Sequence, residues 1–274
     1  MIDIGHSLFA LPFAYLGALL AARGIPTLHQ LAWITLAMVS ARTAALGLNR
    51  LIDRHIDARN PRTADWILPR GLVRLPVVVV AIVVSFLVML YSAAQLNELC
   101  LKLAPLAVIA LTAYSYTKRF TWTANVILGL TIGLGPVGAW LAVSPRLEVT
   151  PLLLWLAVGL WIAGFDTMYA CQDENFDLVE GLHSIPARFG TAKALDIAAW
   201  FHTMTVLLLL AVGFKMGLGW PYYIGVVIAA LVLRFEHRLV SADDLSRMHT
   251  AAFGINRYVS AILLLFALLS YIKF

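Results

Sequence analysis

From Leu75 to Gln95 the chain reads LPVVVVAIVVSFLVMLYSAAQ, twenty-one residues without one charged side chain. That is the length a helix needs to cross a bilayer, about 20 residues. Within lipid, a helix satisfies every backbone N–H and C=O inside the segment itself. Comparable apolar runs fall at 7–22, 30–48, 99–116, 123–143, 151–171, 194–213, 219–234 and 253–272. Only 13% of residues are charged and the mean hydropathy is +0.86, which is the composition of a polytopic membrane protein. The reading is an all-α integral membrane fold: one domain over 1–274, built as a bundle of nine transmembrane helices in the lipid bilayer. Pro12 and Pro136 fall inside spans, where packed neighbours satisfy the freed backbone groups. Phe9 to Ala22 has neither a basic flank before it nor a cleavage signal after it, so it reads as a first span.

Charge bias sets the orientation. The loops after even-numbered spans carry 13 lysines and arginines and those after odd-numbered spans, with the terminus, carry 5. The positive-inside rule puts the first set in the cytoplasm, with the amino terminus inside and the carboxy terminus outside. The expected location is the inner (cytoplasmic) membrane. The net charge of +5 suits anionic lipid or an anionic substrate. No soluble basic domain is left to bind nucleic acid. Cys100 and Cys171 form no CxxC, so neither a disulfide framework nor a zinc site is implied.

Against this apolar background, NRLIDRHIDARNPRT (49–63) stands out. Asn49, Asp53 and Asp57 are each one helical turn apart and share a face. A second acidic cluster, DTMYACQDENFD (166–177), brings Asp166, Asp173 and Asp177 back to within roughly 40° of one another on a continuous helix. Both clusters end helices on the cytoplasmic side. Carboxylates converging there need a divalent cation or basic groups to neutralise them. Oxygen-rich, histidine-free sites suit Mg2+, which binds phosphate oxygens beside one or two carboxylates. Arg59, Arg62, Lys118 and Arg119 fall in adjoining loops, and together these groups make a diphosphate site. The apolar bundle beside it can hold an isoprenoid tail. Arg42 and Arg257 lie within spans, where buried charge is costly and marks function.

These motifs resemble those of a known family. NRLIDRHID, ARNPRT, LPRG, AYSYTKRFT, DTMYACQDENFD and GLHSIPARFG, with HSLFALPFA near the start, look like the UbiA-type intramembrane aromatic prenyltransferases. The resemblance implies a nine-helix bundle with a cytoplasmic-side active-site cavity. It implies Mg2+-dependent transfer of a prenyl group from a polyprenyl diphosphate onto an aromatic acid acceptor. Asn49, Asp53 and Asp57 would form one metal–diphosphate motif, and Asp173 and Asp177 the other. Asp166 and Tyr169 would line the same pocket, Lys118 and Arg119 would meet the diphosphate, and Arg62 would assist.

Trp66 stands where the family commonly has arginine, a departure that puts one phosphate contact in question, with Arg62 or Arg70 as replacements. GLHS, where relatives acting on monocyclic acceptors often have KS, looks closest to the menaquinone (futalosine-route) branch. Its acceptor would be a 1,4-dihydroxy-6-naphthoate rather than 4-hydroxybenzoate, with Arg42, Arg257 or His183 as partner of the carboxylate. A rival class, an ion-coupled secondary transporter, also uses intramembrane carboxylates. Here the acids gather at one membrane face rather than the midplane. The DGxxAR string of the phosphatidyltransferases is absent.

Overall fold

The computed structural model describes residues 4–272, and the side chains of 4–10, 252, 253, 255 and 257 fall outside that description. The readings placed on the side chain of Arg257 and on the carboxy-terminal residue therefore lie beyond the described residues. Everything else is helical or short loop, apart from one isolated bridge between Ser241 and Asp244. In chain order the helices are α1 (Ile4–Ala22), α2 (Leu28–Asp57), α3 (Leu75–Leu96), α4 (Glu98–Thr117), α5 (Ala124–Ile132), α6 (Leu134–Val143) and α7 (Val149–Ala170). They continue with α8 (Glu174–Glu180), α9 (Ile185–Phe189), α10 (Thr191–Met216), α11 (Trp220–Arg238) and α12 (Asn256–Leu269). Among the described residues, six stretches are long and apolar enough to cross a membrane: Leu28–Asp57, Leu75–Leu96, Glu98–Thr117, Ala124–Val143, Val149–Glu180 and Thr191–Met216.

Neighbours in sequence are neighbours in space. Around the bundle α1 packs on α2, α2 on α3, α3 on α4, α4 on α5, α5 on α7, α7 on α10, α10 on α11, α11 on α12, and α12 closes the ring on α1. Helix α6 leans against α1 inside this ring. Phe13, Trp140, Trp161 and Tyr222 anchor one buried cluster between α1, α6, α7 and α11. The outward face of α3 exposes Val77, Val80, Val83, Val84 and Leu87. An apolar outer face of this kind is what lipid solvates.

Three expectations from helical spacing meet a broken helix. The run 123–143 is two helices meeting at Gly133, because Pro136 has no N–H for the Ile132 carbonyl one turn earlier. The second acidic cluster is not on one continuous helix: α7 stops at Ala170, a 3-10 turn covers Cys171–Asp173, and α8 restarts at Glu174. At the last apolar run, a π turn over Thr250–Ile255 precedes α12. By contrast α2 is longer than its apolar run and carries Asn49, Asp53 and Asp57 on unbroken helix. Contact between α5 and α7 is close enough to require glycine: a Cβ on Gly129 would sit 2.3 Å from the Gly159 carbonyl oxygen.

Candidate active site

The end of α2 supplies the first bank of acids. Asp53 is only 1% exposed, and a buried carboxylate must be paired. Lys118 Nζ lies 2.7 Å from its Oδ2 and Arg119 Nη2 2.8 Å from its Oδ1. Asn49 Nδ2 donates to Oδ2 at 3.1 Å. Arg119 also donates to the Ile52 and Ser115 carbonyls, which fixes the planar guanidinium between α2 and α4. Lys118 is oriented from its own backbone, since its carbonyl accepts the His183 N–H at 2.7 Å. The carboxylate of Asp57, one turn beyond Asp53, has no hydrogen-bond or ion-pair partner among the described residues, while its backbone carbonyl accepts from Thr63 Oγ1 at 2.8 Å. That carboxylate lies within Coulombic reach of Lys118, Arg50 and Arg62.

The facing bank comes from the broken end of α7. Asp173 accepts from Arg62 Nε at 2.9 Å and from Arg62 Nη2, and from Asn60 Nδ2 at 2.9 Å. Arg62 Nη1 donates to Tyr169 Oη at 2.8 Å, with the guanidinium 4.8 Å from that ring's centroid. Asp177 accepts from Ser184 Oγ at 2.8 Å. Asp166 accepts from Asn125 Nδ2 at 2.8 Å, while Asn125 Oδ1 takes the Ile185 N–H at 3.0 Å. Despite the break, both banks meet: Asp53, Asp57, Asp166 and Asp177 all interact with the charge of Lys118. Arg62 reaches across from the α2–α3 loop, and Arg59 strengthens the crossing with two bonds from Nε at 2.9 Å to Glu180.

Among the described residues, no three carboxylates, histidines or cysteines lie close enough to form a metal site by themselves. The acids stand instead as two banks on either side of protein cations. Such spacing fits a group larger than a bare ion, a metal carrying phosphate oxygens of its own.

Below the banks opens a cavity of about 500 Å3. Asn49, Arg50, Trp66, Asp166 and Tyr169 line its polar end, and Ala93, Leu96, Cys100 and Leu103 line its apolar end. Arg42 lines it too, about 10 Å along α2 from Asn49 at 1.5 Å per residue. The Nε of Arg42 is buried without a partner.

Asn49, Asp53, Asp57, Arg62, Lys118, Arg119, Asp173 and Asp177 therefore stand at the banks, and Arg42, Asn49, Asp166 and Tyr169 line the cavity. Two acceptor-binding and phosphate readings are corrected. His183 is exposed on the turn before α9 and does not line the cavity. Arg70 is exposed as well, and it is Arg50 that stacks on Trp66, its guanidinium carbon 4.4 Å from the ring centroid. Asn60 and Asn125 were missed. Asn60 carried the signal of an Asn–Pro turn beside arginine, and Asn125 that of a lone amide in an apolar run.

Comparison with known proteins is consistent with this geometry. The model of the UbiA prenyltransferase family matches residues 10–270. A 4-hydroxybenzoate octaprenyltransferase of Vibrio cholerae serotype O1 (strain ATCC 39541) is 33% identical over 246 residues, 88% of this chain and 84% of the relative. The apo structure of a UbiA homolog from Aeropyrum pernix K1 superimposes with a TM-score of 0.88 at 33% identity, covering 96% of this chain and 97% of that one. A UbiA homolog from Archaeoglobus fulgidus, solved bound to GPP and Mg2+, shares the fold with a TM-score of 0.70 at 20% identity, covering 97% and 95%. Nothing in these matches supports a transporter. The chain belongs to the UbiA prenyltransferase family and is a prenyltransferase.

Proposed function

We propose that the chain moves a polyprenyl group from polyprenyl diphosphate to the ring of an aromatic carboxylic acid, with Mg2+ as cofactor. It does so from nine transmembrane helices of one domain in the inner membrane, with the acidic end facing the cytoplasm. The observation that carries this reading is the juxtaposition of two carboxylate banks and their cations with a long apolar cavity. Asn49, Asp53, Asp57, Asp173 and Asp177 are the oxygen donors that would hold the metal. Bound there, Mg2+ neutralises the diphosphate as it leaves. The metal seen with GPP in the A. fulgidus homolog supports that choice.

The protein's own residues do the rest. Asp53 and Asp173 hold Lys118, Arg119 and Arg62 in place between the two banks. A diphosphate offers those cations competing acceptors, and their charge stabilises it most as the allylic C–O bond breaks and the leaving oxygen gains the electron pair. Tyr114, Trp161, Phe165 and Tyr169 present rings to the cavity, whose π faces stabilise an allylic cation. The apolar wall excludes water that would quench the cation. A ring carbon of the acceptor then bonds to the allylic carbon, and loss of the ring proton restores aromaticity.

Arg42 is the group on which the acceptor carboxylate docks, since a half-buried guanidinium at the cavity wall whose Nε has no partner calls for an anion. The V. cholerae relative makes 4-hydroxybenzoate the first acceptor to assign. The resemblance of GLHS to the menaquinone branch supports 1,4-dihydroxy-6-naphthoate as the second. Competition between the two acids for one polyprenyl diphosphate, with products resolved by mass, decides between them. Prenylation of neither acid overturns the assignment.

A further inference from the structure

A second polar layer lies deeper in the cavity, away from the diphosphate end. Trp161 is five residues before Asp166 on α7, about 7.5 Å further down, and its indole lines the cavity together with Asn256 at the start of α12. Trp161 Nε1 donates to Asn256 Oδ1 at 3.0 Å, and Asn256 Nδ2 donates to Glu236 Oε1 at 2.7 Å. An indole N–H can only donate, so the amide oxygen must face it and the amide nitrogen must face Glu236. The amide therefore has one orientation.

Glu236 itself does not line the cavity. It sits behind on α11, fully buried, with Oε2 unpartnered. Among the described residues, the carboxyl has one hydrogen bond, to Asn256, although burying a carboxyl with so little compensation is costly. What Glu236 contributes is the hold on that amide. Asn256 has a second N–H on the same nitrogen, with no acceptor among the described residues. A π turn over Thr250–Ile255 leads directly into it, a distortion found most often at functional sites.

We propose that Asn256 is the residue that orients the aromatic acceptor, its free N–H donating to the acceptor's phenolic oxygen while Arg42 takes the carboxylate. Glu236 and Trp161 are positioning residues that lock the amide. The inference rests on the acceptor reading above and adds a specificity element to it. Two fixed contacts, one at each end of the ring, determine which ring carbon meets the allylic carbon.

The test compares binding of 4-hydroxybenzoate and of benzoate, which lacks the phenolic oxygen, to the full-length protein in detergent. Wild type is expected to prefer 4-hydroxybenzoate, and Asn256→Leu to lose about tenfold in affinity for it, equivalent to about 1.4 kcal/mol, with benzoate affinity unchanged. Glu236→Leu should erase the same preference, and Glu236→Gln, whose amide oxygen still accepts from Asn256, should restore it. Prenyl diphosphate binding reports folding in every variant; if Asn256→Leu loses it, Glu236→Leu carries the comparison. An unchanged hydroxyl preference in both leucine variants overturns the inference. Wild-type protein that binds prenyl diphosphate but neither acid instead overturns the acceptor reading itself, and this inference with it.

Discussion

Asp53 and Asp57 are chemically alike and one turn apart, yet the molecule uses them differently. Asp53 is buried under three nitrogen donors, so its loss would leave Lys118 and Arg119 without their counter-charge. Any kinetic effect of Asp53→Ala is therefore mixed with an effect on folding. Asp57 has no such partner, which separates the two effects. Asp57→Ala should shift stability by no more than about 0.5 kcal/mol and lower turnover by at least about 100-fold. Thermal unfolding and steady-state rates on one preparation check this, and a near-normal rate removes Asp57 from the site. Trp66 gives a second residue-scale outcome. Its ring carries Arg50 at the cavity wall, so Trp66→Arg sets two guanidiniums against each other. Apparent KM for the prenyl diphosphate should rise in Trp66→Arg and stay near wild type in Trp66→Phe. A fall in KM for Trp66→Arg would mean that the position is an unfilled phosphate contact.

The helices show which parts of this arrangement could be read from sequence. Helix α2 was legible because nothing in NRLIDRHID interrupts helical spacing, and its three polar residues share a face as spacing requires. The second bank was legible in composition but not in path. No proline or glycine marks the 3-10 turn at Cys171–Asp173, and tertiary contacts such as Arg62 to Asp173 hold the broken end in place. Which cation pairs with which acid was beyond sequence, because those pairs join residues as far apart as Asp53 and Arg119. The approach of α5 to α7 is a further property of elements. Gly129→Ala places a methyl against the Gly159 carbonyl, and such overpacking costs about 1–3 kcal/mol. Thermal unfolding of that variant should drop accordingly; an unchanged midpoint would contradict the close packing of these helices.

At the scale of the whole molecule, the ring of helices explains why catalysis and lipid chemistry share one chain. Its outer face is apolar, its inner face encloses the cavity, and its charge gathers at one end. The positive-inside rule predicts the cytoplasm for that end. Cysteines introduced by Asp65→Cys and Glu148→Cys, both exposed positions at opposite ends, should react with an impermeant reagent from the cytoplasmic and the external side respectively. Labelling of both from one side would contradict the topology. The central claim is coupled prenyl transfer, and one measurement tests it most directly. Purified protein is given a polyprenyl diphosphate and 4-hydroxybenzoate, with Mg2+ or with excess chelator, and diphosphate and ring-prenylated acid are quantified together. The account predicts equal amounts of both products with Mg2+ and neither with chelator. Diphosphate released without prenylated acid, or product formed at an undiminished rate in chelator, would contradict it.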